Sequence, residues 1–256
     1  MKQDNLQFNI DESAETAETR KRSGFWDFLL WLIIIVLATA ILIRIFVVSN
    51  VTVSGESMTA GYYNLPNSEY YNPDLTYHDE DVVMVNKVCK LQRGDVVVFY
   101  KYPVKSKFLA MFARGKDVEA DGQYYKLIKR VVALGGDRIW LDNEGLEEGK
   151  YRLVVQTPDG TIRHEDYYRK NGTQLSADCF IISTNGKSGP GRLADCTEQN
   201  PLIIDEGYFF AVGDNRDNSA DSRGELGPVP LSQLFGVVID KNTPRIIIKG
   251  LYFSNN

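Results

Sequence analysis

The sequence contains few of the residues that carry metal or histidine chemistry. Its 256 residues include only two histidines and three cysteines, and no two cysteines form a CxxC pair. Structural zinc sites require such pairs or a mixed cysteine and histidine cluster, so the sequence predicts no structural zinc site. We expect neither a catalytic metal nor a cofactor.

The chain also lacks an excess of positive charge. Its 29 Lys and Arg residues are outnumbered by 34 Asp and Glu residues, which gives a net charge of -5. Nucleic-acid binders usually carry a basic patch that replaces counterions along the phosphate backbone, so nucleic acid is not an expected partner. With 43% hydrophobic residues, the chain can form a substantial core.

The three cysteines allow two interpretations. Cys179 and Cys196 flank a stretch rich in Gly, Ser and Asn, and they could form a disulfide if this part of the chain lies outside the cytosol. Cys89 would then be unpaired. The alternative, which the sequence favours equally, is that all three cysteines are buried, reduced thiols.

A polar, acidic N-terminus precedes a long apolar segment. Residues 1–24 contain few apolar side chains and predict a disordered cytoplasmic tail. Residues 25–49 include an uncharged run from Phe28 to Ile43. Because roughly 20 residues of helix cross a membrane, this segment predicts a transmembrane signal-anchor helix rather than a cleaved signal peptide or a buried core helix.

Basic residues at the start of the apolar segment predict its orientation. Arg20, Lys21 and Arg22 precede the helix, and positively charged flanks usually stay in the cytoplasm. The chain is therefore predicted to cross the plasma membrane once, with its N-terminus inside. Residues 50–256 would form an extracytoplasmic domain.

Beyond residue 49 the pattern predicts a mainly β domain. Short segments of Val, Ile, Phe and Tyr alternate with Gly, Asp and Pro. The predicted strands are Phe46–Val53, Asp81–Val88, Gly94–Tyr100, Tyr124–Leu134, Arg138–Leu141, Gly207–Val212, Leu234–Ile239 and Arg245–Tyr252. Residues 143–201 fit this pattern less well and predict a smaller inserted lobe or long loops.

A serine in a glycine-containing turn is a candidate nucleophile. In Ser54-Gly55-Glu56-Ser57-Met58, Ser57 could present its hydroxyl and its own backbone N–H together, as acyl transfer requires. The hydrolase elbow Gly-x-Ser-x-Gly is not matched, because Thr59 occupies the last glycine position. An ordinary turn serine is the alternative.

Neither histidine lies in a pattern that suits a general base. His78 lies in a loop rich in Asn, Pro and Asp, and His164 stands among Arg163, Glu165 and Asp166, a run typical of a solvated face. A Ser-His-Asp triad therefore has no support in the sequence.

A lysine in an apolar strand is the other candidate base. Lys129 lies between Ile128 and the run Arg130-Val131-Val132. To accept a proton at neutral pH its pKa must fall by roughly 3 units from ~10.4, and burial shifts the pKa in that direction. The alternative is a lysine that extends to solvent or pairs with an acid.

The polar loop 213–224 contains several acids and could suggest calcium. An EF-hand register that starts at Asp214 puts Arg216 at a ligand position and Ser219 where glycine is required, so calcium is not predicted. What remains is a loop in which Asp214, Asp221 and Arg223 can form ion pairs that fix a site.

Four segments together resemble the bacterial type I signal peptidases, also called leader peptidases, the serine–lysine dyad proteases of family S26. They occur in the family's order behind an N-terminal anchor. The segments are Ser-Gly-Glu-Ser-Met at 54–58, Arg-Gly-Asp-Val-Val-Val-Phe at 93–99, Ile-Lys-Arg-Val-Val-Ala-Leu-Gly-Gly-Asp at 128–137, and Gly-Asp-Asn-Arg-Asp-Asn-Ser-Ala-Asp-Ser-Arg-Gly at 213–224. The resemblance implies coiled antiparallel β-sheets with a smaller inserted lobe, preceded by one transmembrane helix.

The resemblance also implies the roles of individual residues. Ser57 would attack the scissile carbonyl, and neutral Lys129 would take the serine proton. Ser219 matches the hydroxyl that orients the lysine. Further positions that match the motifs as supporting residues are Asp214, Asp221, Arg223, Arg130 and Met58.

The implied function is the removal of N-terminal signal peptides from exported preproteins, with cleavage after small residues in Ala-x-Ala. The implied partners are signal peptides, membrane lipid and a nearby Sec-type export machinery. The alternative is a catalytically silent, membrane-tethered β domain that binds exported or pilus proteins. A self-cleaving repressor of the SOS type conflicts with the membrane span.

The sequence departs from the family pattern at two places near the serine. Residues Ala60 and Gly61 lead into a longer stretch, Tyr62 to Tyr77, where many members continue with Pro-Thr-Leu. Gly55 stands where some members have a serine that donates to the oxyanion, so the backbone N–H of Ser57 is expected to carry more of that role.

Overall fold

The fold comprises two compact units, residues 1–47 and 48–256. The structure is a computed structural model. It describes residues 4–59, 77–103, 125–165, 167–168, 174–175, 181–185 and 188–239.

The first unit contains one long helix, α1, from Asp4 to Phe46. Within it, the 23-residue segment Gly24–Phe46 contains an 18-residue stretch with a mean hydropathy of 2.8, and it is long and apolar enough by length and composition to cross a membrane. This confirms the predicted apolar helix. The helix includes residues 4–24, where a disordered tail is predicted, because extending an existing helix costs far less than nucleating a new one. It ends three residues before the predicted boundary at 49.

The described part of the second unit contains fourteen strands and is mainly β, as predicted. In chain order they are β1 (Val48–Thr52), β2 (Val82–Asn86), β3 (Val96–Tyr100), β4 (Lys126–Leu134), β5 (Arg138–Asp142), β6 (Lys150–Gln156), β7 (Ile162–His164), β8 (Tyr167–Tyr168), β9 (Gln174–Leu175), β10 (Ile182–Ser183), β11 (Leu202–Ile203), β12 (Tyr208–Val212), β13 (Val229–Pro230) and β14 (Leu234–Val238).

The larger sheet has seven antiparallel strands in the order β1-β2-β14-β3-β4-β12-β13. Strand β3 is buried along its whole length because both faces of the sheet are covered. Alternate residues serve the two faces: Val96 and Val98 join one core cluster, and Val97 and Phe99 join another. The sheet therefore holds β4, the strand of Lys129, in a well-packed position.

The second sheet has five strands, with β10-β6-β5-β11 in order and β7 paired to β6. Its residues share a core with the larger sheet, because Ile139 and Leu153 pack in the same cluster as Ala133 and Phe210. The described part of residues 143–201 includes strands β6 to β10, and the sheet to which β6, β7 and β10 belong begins at Arg138. The predicted bounds of the lobe, 143–201, stay a prediction.

Most predicted strands coincide with observed ones, although their ends move by a few residues. The helix displaces the start of the first predicted strand, because α1 continues to Phe46 and β1 begins at Val48. The predicted strand Arg245–Tyr252, the stretch 62–76 and Cys179 lie outside the described residues. The pairing of Cys179 with Cys196 stays a prediction.

Candidate active site

The turn that follows β1 presents Ser57. Gly55 has a φ of 81°, in the left-handed region that glycine adopts without steric cost. Its backbone N–H donates a 2.8 Å hydrogen bond to the Asp79 carboxylate. Directly after Ser57, the side chain of Met58 is 0% exposed and packs in a core cluster with Val85. The turn is therefore held on both sides of the serine.

Strand β4 brings Lys129 to the same point. The lysine lies opposite Val97 of β3 and is 2% exposed. Its Nζ donates a 2.7 Å hydrogen bond to Ser57 Oγ and a 2.8 Å bond to the carbonyl oxygen of Ile128. The contact between Lys129 and Ser57 joins two residues that are 72 positions apart in the chain.

Burial lowers the pKa of Lys129 to about 8. The carboxylates of Asp221 and Asp214 oppose this shift, and the Arg223 guanidinium adds to it. With a pKa near 8, roughly a tenth of the lysine is neutral at pH 7. An amine of this kind can accept a proton from the hydroxyl that it contacts.

Arg130, the neighbour of Lys129, joins β4 to the polar loop 213–224. Its Nε and Nη2 atoms donate to the two carboxylate oxygens of Asp214 at 2.7 and 2.6 Å. Its Nη1 donates to the carbonyl oxygen of Gly94 at 2.8 Å. Because both partners are buried, this bidentate pair fixes the loop against the strand that carries the lysine.

A second buried ion pair lies inside the loop. Arg223 donates from Nε and Nη2 to the Asp221 carboxylate at 3.0 and 2.9 Å. Its other hydrogen bonds go to the carbonyl oxygens of Gly189 and Arg216. Burial favours the neutral form of Asp221, but the Arg223 charge and the N–H of Gly213 outweigh it and lower the pKa of this carboxyl.

Gly213, the first residue of this loop, allows the close approach of the serine turn. A Cβ atom built there would overlap Ser219 Oγ and the carbonyl oxygen of Ser57. Any larger residue would push these two segments apart. The absence of a side chain at this position therefore lets loop and turn meet.

Comparisons with known proteins identify the family. A family model described as "Signal peptidase, peptidase S26" matches residues 26–240. The chain belongs to this family.

Relatives match the peptidase over most of their length. "Signal peptidase I" of Bacillus amyloliquefaciens is 25% identical over 225 residues, which cover 87% of this chain and 90% of the relative. "Signal peptidase I S" of Bacillus subtilis strain 168 is 26% identical and covers 80% of this chain and 82% of its own. A crystal structure of a signal peptidase I from Enterococcus faecalis shows 22% identity and a TM-score of 0.33, covering 59% of this chain and 97% of its own.

Membership of the family confirms the predicted enzyme class. The peptidase is an enzyme of the serine protease class, and its family is that of signal peptide processing. The N-terminal apolar helix fits a membrane-anchored peptidase.

Two residues that support the peptidase's serine turn escaped the sequence analysis. Asn215 donates from its backbone N–H to the Ser57 carbonyl oxygen at 3.1 Å and from Nδ2 to the Glu56 carbonyl oxygen at 3.2 Å. Asp79 accepts from Gly55, as described above. Asn215 lies within the motif at 213–224, and this position could have indicated its role. Nothing in the sequence distinguishes Asp79 from an ordinary loop residue.

Glu165 corrects one sequence-based interpretation. The run around His164 is predicted to be solvated, yet Glu165 is 4% exposed and forms a buried ion pair with Arg216 of the polar loop. Arg216 Nη2 donates to Glu165 Oε1 at 2.8 Å, and Nη1 bonds the other carboxylate oxygen. The prediction was wrong for Glu165, because burial of this charge depends on a partner 51 positions further along the chain, whereas Arg163 and His164 are exposed as predicted.

Ser219 of the peptidase is buried close to the serine turn. Its Oγ makes no well-formed hydrogen bond to the described residues, although it helps to lower the pKa of the nearby Asp221 carboxyl. The bonds of Lys129 Nζ go to Ser57 and Ile128 and not to Ser219. Its predicted role in orienting the lysine stays a prediction.

Neither histidine takes part in the site. His78 Nδ1 lies 3.8 Å from an Asp81 carboxylate oxygen, and both side chains are about half exposed. His164 is exposed at the end of β7. In the described part of the chain, neither histidine hydrogen-bonds Ser57, which agrees with the absence of triad support in the sequence.

Proposed function

We propose that this peptidase removes N-terminal signal peptides from exported preproteins with a serine–lysine dyad. Ser57 is the nucleophile and Lys129 is the general base. The observation that carries the proposal is the 2.7 Å contact between Lys129 Nζ and Ser57 Oγ, with the lysine almost completely buried. Nucleophile and base within hydrogen-bond reach are the geometric requirement for this chemistry.

In the acylation step, Ser57 Oγ attacks the scissile carbonyl carbon while its proton passes to the neutral amine of Lys129. The carbonyl oxygen becomes an oxyanion, and the backbone N–H of Ser57 donates to it. No acceptor for this N–H is found among the described residues, which supports its availability. When the tetrahedral intermediate collapses, the C–N bond breaks and the Lys129 ammonium returns the proton to the leaving amine.

In the deacylation step, water attacks the Ser57 ester. The amine of Lys129 takes one proton from this water, and the same proton returns to Ser57 Oγ as the C–O bond of the ester breaks. The signal peptide leaves with a new carboxyl terminus, and the enzyme regains its initial state. The depressed pKa of Lys129, about 8, supports both transfers because the amine changes protonation state readily near neutral pH.

The remaining residues of the motifs hold this pair in position. Arg130 and Asp214 fix the polar loop to β4, and Asp221 with Arg223 holds the loop's own shape. Met58 anchors the serine turn in the core. Ser219 is proposed to offer its buried hydroxyl to the lysine during the reaction, which the absence of a well-formed hydrogen bond to another described residue supports. These assignments follow the motif resemblance and the contacts together.

The proposed substrates carry small residues, usually alanine, at the first and third positions before the cut. This preference follows from the resemblance of the four motifs to the type I signal peptidases. The partners are therefore signal peptides of secreted preproteins that reach the membrane through a nearby Sec-type export machinery.

The proposed location is the plasma membrane, with one span and a cytoplasmic N-terminus. The apolar segment Gly24–Phe46 supports the span, and the basic run Arg20-Lys21-Arg22 supports the orientation. Residues 50–256 then act outside the cytoplasm at the lipid surface. Anchoring enzyme and tethered leader in one thin layer raises their effective concentration.

A silent, membrane-tethered binding domain is the second candidate function. Such a domain would have no reason to bury a lysine against a serine hydroxyl, because burying an amine without a function costs stability. The contact between Ser57 and Lys129 favours catalysis over this alternative.

The test uses the full chain in detergent and a preprotein with an Ala-x-Ala site. We expect Ser57→Ala to abolish cleavage, measured as release of the mature protein on a gel, because the nucleophile is lost. Ser54→Ala is the matched control, since Ser54 is an exposed serine in the same turn. Undiminished cleavage by Ser57→Ala would contradict the proposed mechanism, and no cleavage by the unmodified chain would favour the silent domain.

A further inference from the structure

One of the contacts between the loop that follows β10 and the polar loop is made by a serine hydroxyl. Ser188 Oγ donates a 2.8 Å hydrogen bond to the carbonyl oxygen of Ser219 and accepts a 2.8 Å bond from the backbone N–H of the same residue. The backbone N–H of Ser188 also donates to the Asp217 carbonyl oxygen at 3.1 Å. One hydroxyl thus satisfies both backbone groups of Ser219.

The side chain of Ser219 is treated differently from its backbone. Its Oγ is buried and makes no well-formed hydrogen bond to the described residues, although it lies close enough to the Asp221 carboxylate to help lower the pKa of that group. It packs against Gly213, at the point where the Ser57 carbonyl oxygen also approaches. A buried hydroxyl usually forms a strong hydrogen bond, so one that has only a weak contact with Asp221 and lies beside the nucleophile is available for the reaction.

We propose that Ser188 is a positioning residue that fixes Ser219 through its backbone and so leaves the Ser219 hydroxyl free for the lysine–serine pair. Without Ser188, the backbone groups of Ser219 would need other partners, and its hydroxyl could turn to serve them. The inference rests on the proposed function of the site. It assigns a positioning role to Ser188, in a loop that none of the four family motifs includes.

The first test separates kcat from KM in the full chain with a preprotein substrate. We expect Ser188→Ala to lower kcat about tenfold, because small displacements of reacting groups cost large factors in rate, and to change KM less than about twofold. Ser188→Thr keeps a hydroxyl at the same carbon and should retain kcat within about threefold. In the Ser219→Ala background, Ser188→Ala should add less than about a twofold loss, because residues that act through one group are not additive.

Thr157→Ala is the matched control. The Thr157 hydroxyl also holds a loop of the second sheet, by bonds to Asp159 and to the Thr161 carbonyl oxygen, but it lies in the turn between β6 and β7. We expect its kcat to stay within about twofold of the unmodified chain.

The second test does not depend on activity. Amide hydrogen exchange at Ser219 should be about tenfold faster or more in Ser188→Ala, because the N–H loses its acceptor, and near normal in Ser188→Thr. Unchanged exchange at Ser219 would overturn the inference, whether or not the chain cuts a preprotein. Failure of the unmodified chain to cut any preprotein would separately overturn the proposed function. Faster exchange with an unchanged kcat would show that Ser188 has only a structural role, and it would overturn the inference. The same conclusion would follow if Ser188→Ala lowered kcat equally in the presence and absence of the Ser219 hydroxyl.

Discussion

Two lysines three residues apart on β4 have different surroundings. Lys129 is almost completely buried and contacts the Ser57 hydroxyl. Lys126 is half-buried, and its Nζ lies 4.4 Å from the ring centre of Phe235 and 5.6 Å from that of Tyr100. Burial lowers the pKa of both lysines.

The difference teaches that burial alone does not make a lysine a base. Aromatic rings attract a cation and so favour the charged form of Lys126. In that form the ammonium group is already protonated and cannot accept a further proton. The serine hydroxyl beside Lys129 supplies a proton that the neutral amine can accept. The charges of Asp214, Asp221 and Arg223 then tune the balance between its two forms. The serine partner and the deeper burial of Lys129 together separate the two roles.

Removing each lysine in turn should show the largest contrast. Lys129→Ala should lower kcat about 10³- to 10⁴-fold, because the general base is lost, whereas Lys126→Ala should stay within about threefold. Rates of preprotein cleavage by the two variants measure this. Similar losses in both would break the comparison.

The site of Lys129 should also be damaged without changing either lysine. Gly213→Ala places a Cβ against Ser219 and the Ser57 carbonyl oxygen, and the resulting displacement should lower kcat about 10²-fold. Gly224→Ala in the same loop is the matched control, because its Cβ would meet nothing closer than the Asp221 carbonyl oxygen at 3.6 Å. If Gly213→Ala were as active as Gly224→Ala, the close approach of the polar loop to the serine turn would not be needed for activity, and the comparison would fail.

The pH profile should assign the active base to one lysine. Only neutral Lys129 accepts the serine proton, so kcat/KM should rise about tenfold per pH unit below its pKa of about 8 and level off above it. Lys126→Met should leave this midpoint in place. A midpoint that moves with Lys126 would reverse the assignment of the two lysines.

The smallest expected effect is on stability. Lys126→Met removes the contact of its charge with Phe235 and Tyr100 but keeps an apolar side chain of similar length. We expect a loss of less than about 1 kcal/mol, which corresponds to a fall in Tm of less than about 2–4 °C. Thermal unfolding of the detergent-solubilised chain measures it. A larger fall would mean that Lys126 does more than lie on the aromatic rings.

The sequence predicted the strands whose composition is uniform, such as β3, because runs of Val and Phe buried on both faces leave a clear pattern. It did not predict β10 and β11, since strands of two residues are too short to show any period. These short strands owe their form to pairing with β6 and β5, which lie distant in the chain.

Part of the candidate site could be predicted in the same way. Ser57 and Lys129 were found because motifs connect them, although each alone has a plainer explanation. Glu165 and Ser188 were missed, because a charged residue and a serine in glycine-rich surroundings resemble ordinary surface residues. Their burial and bonding arise only when the second sheet meets the polar loop.

The bond from Asn215 to the Glu56 carbonyl oxygen joins residues 159 positions apart. During synthesis Glu56 and Ser57 are made well before Asn215, which supports their turn. Contacts of such long range form late in folding, because closing a long loop costs conformational entropy before the contact is gained. The serine turn is therefore fully supported only after two distant segments of the chain have met, so completion of the site is expected to be a late step of folding.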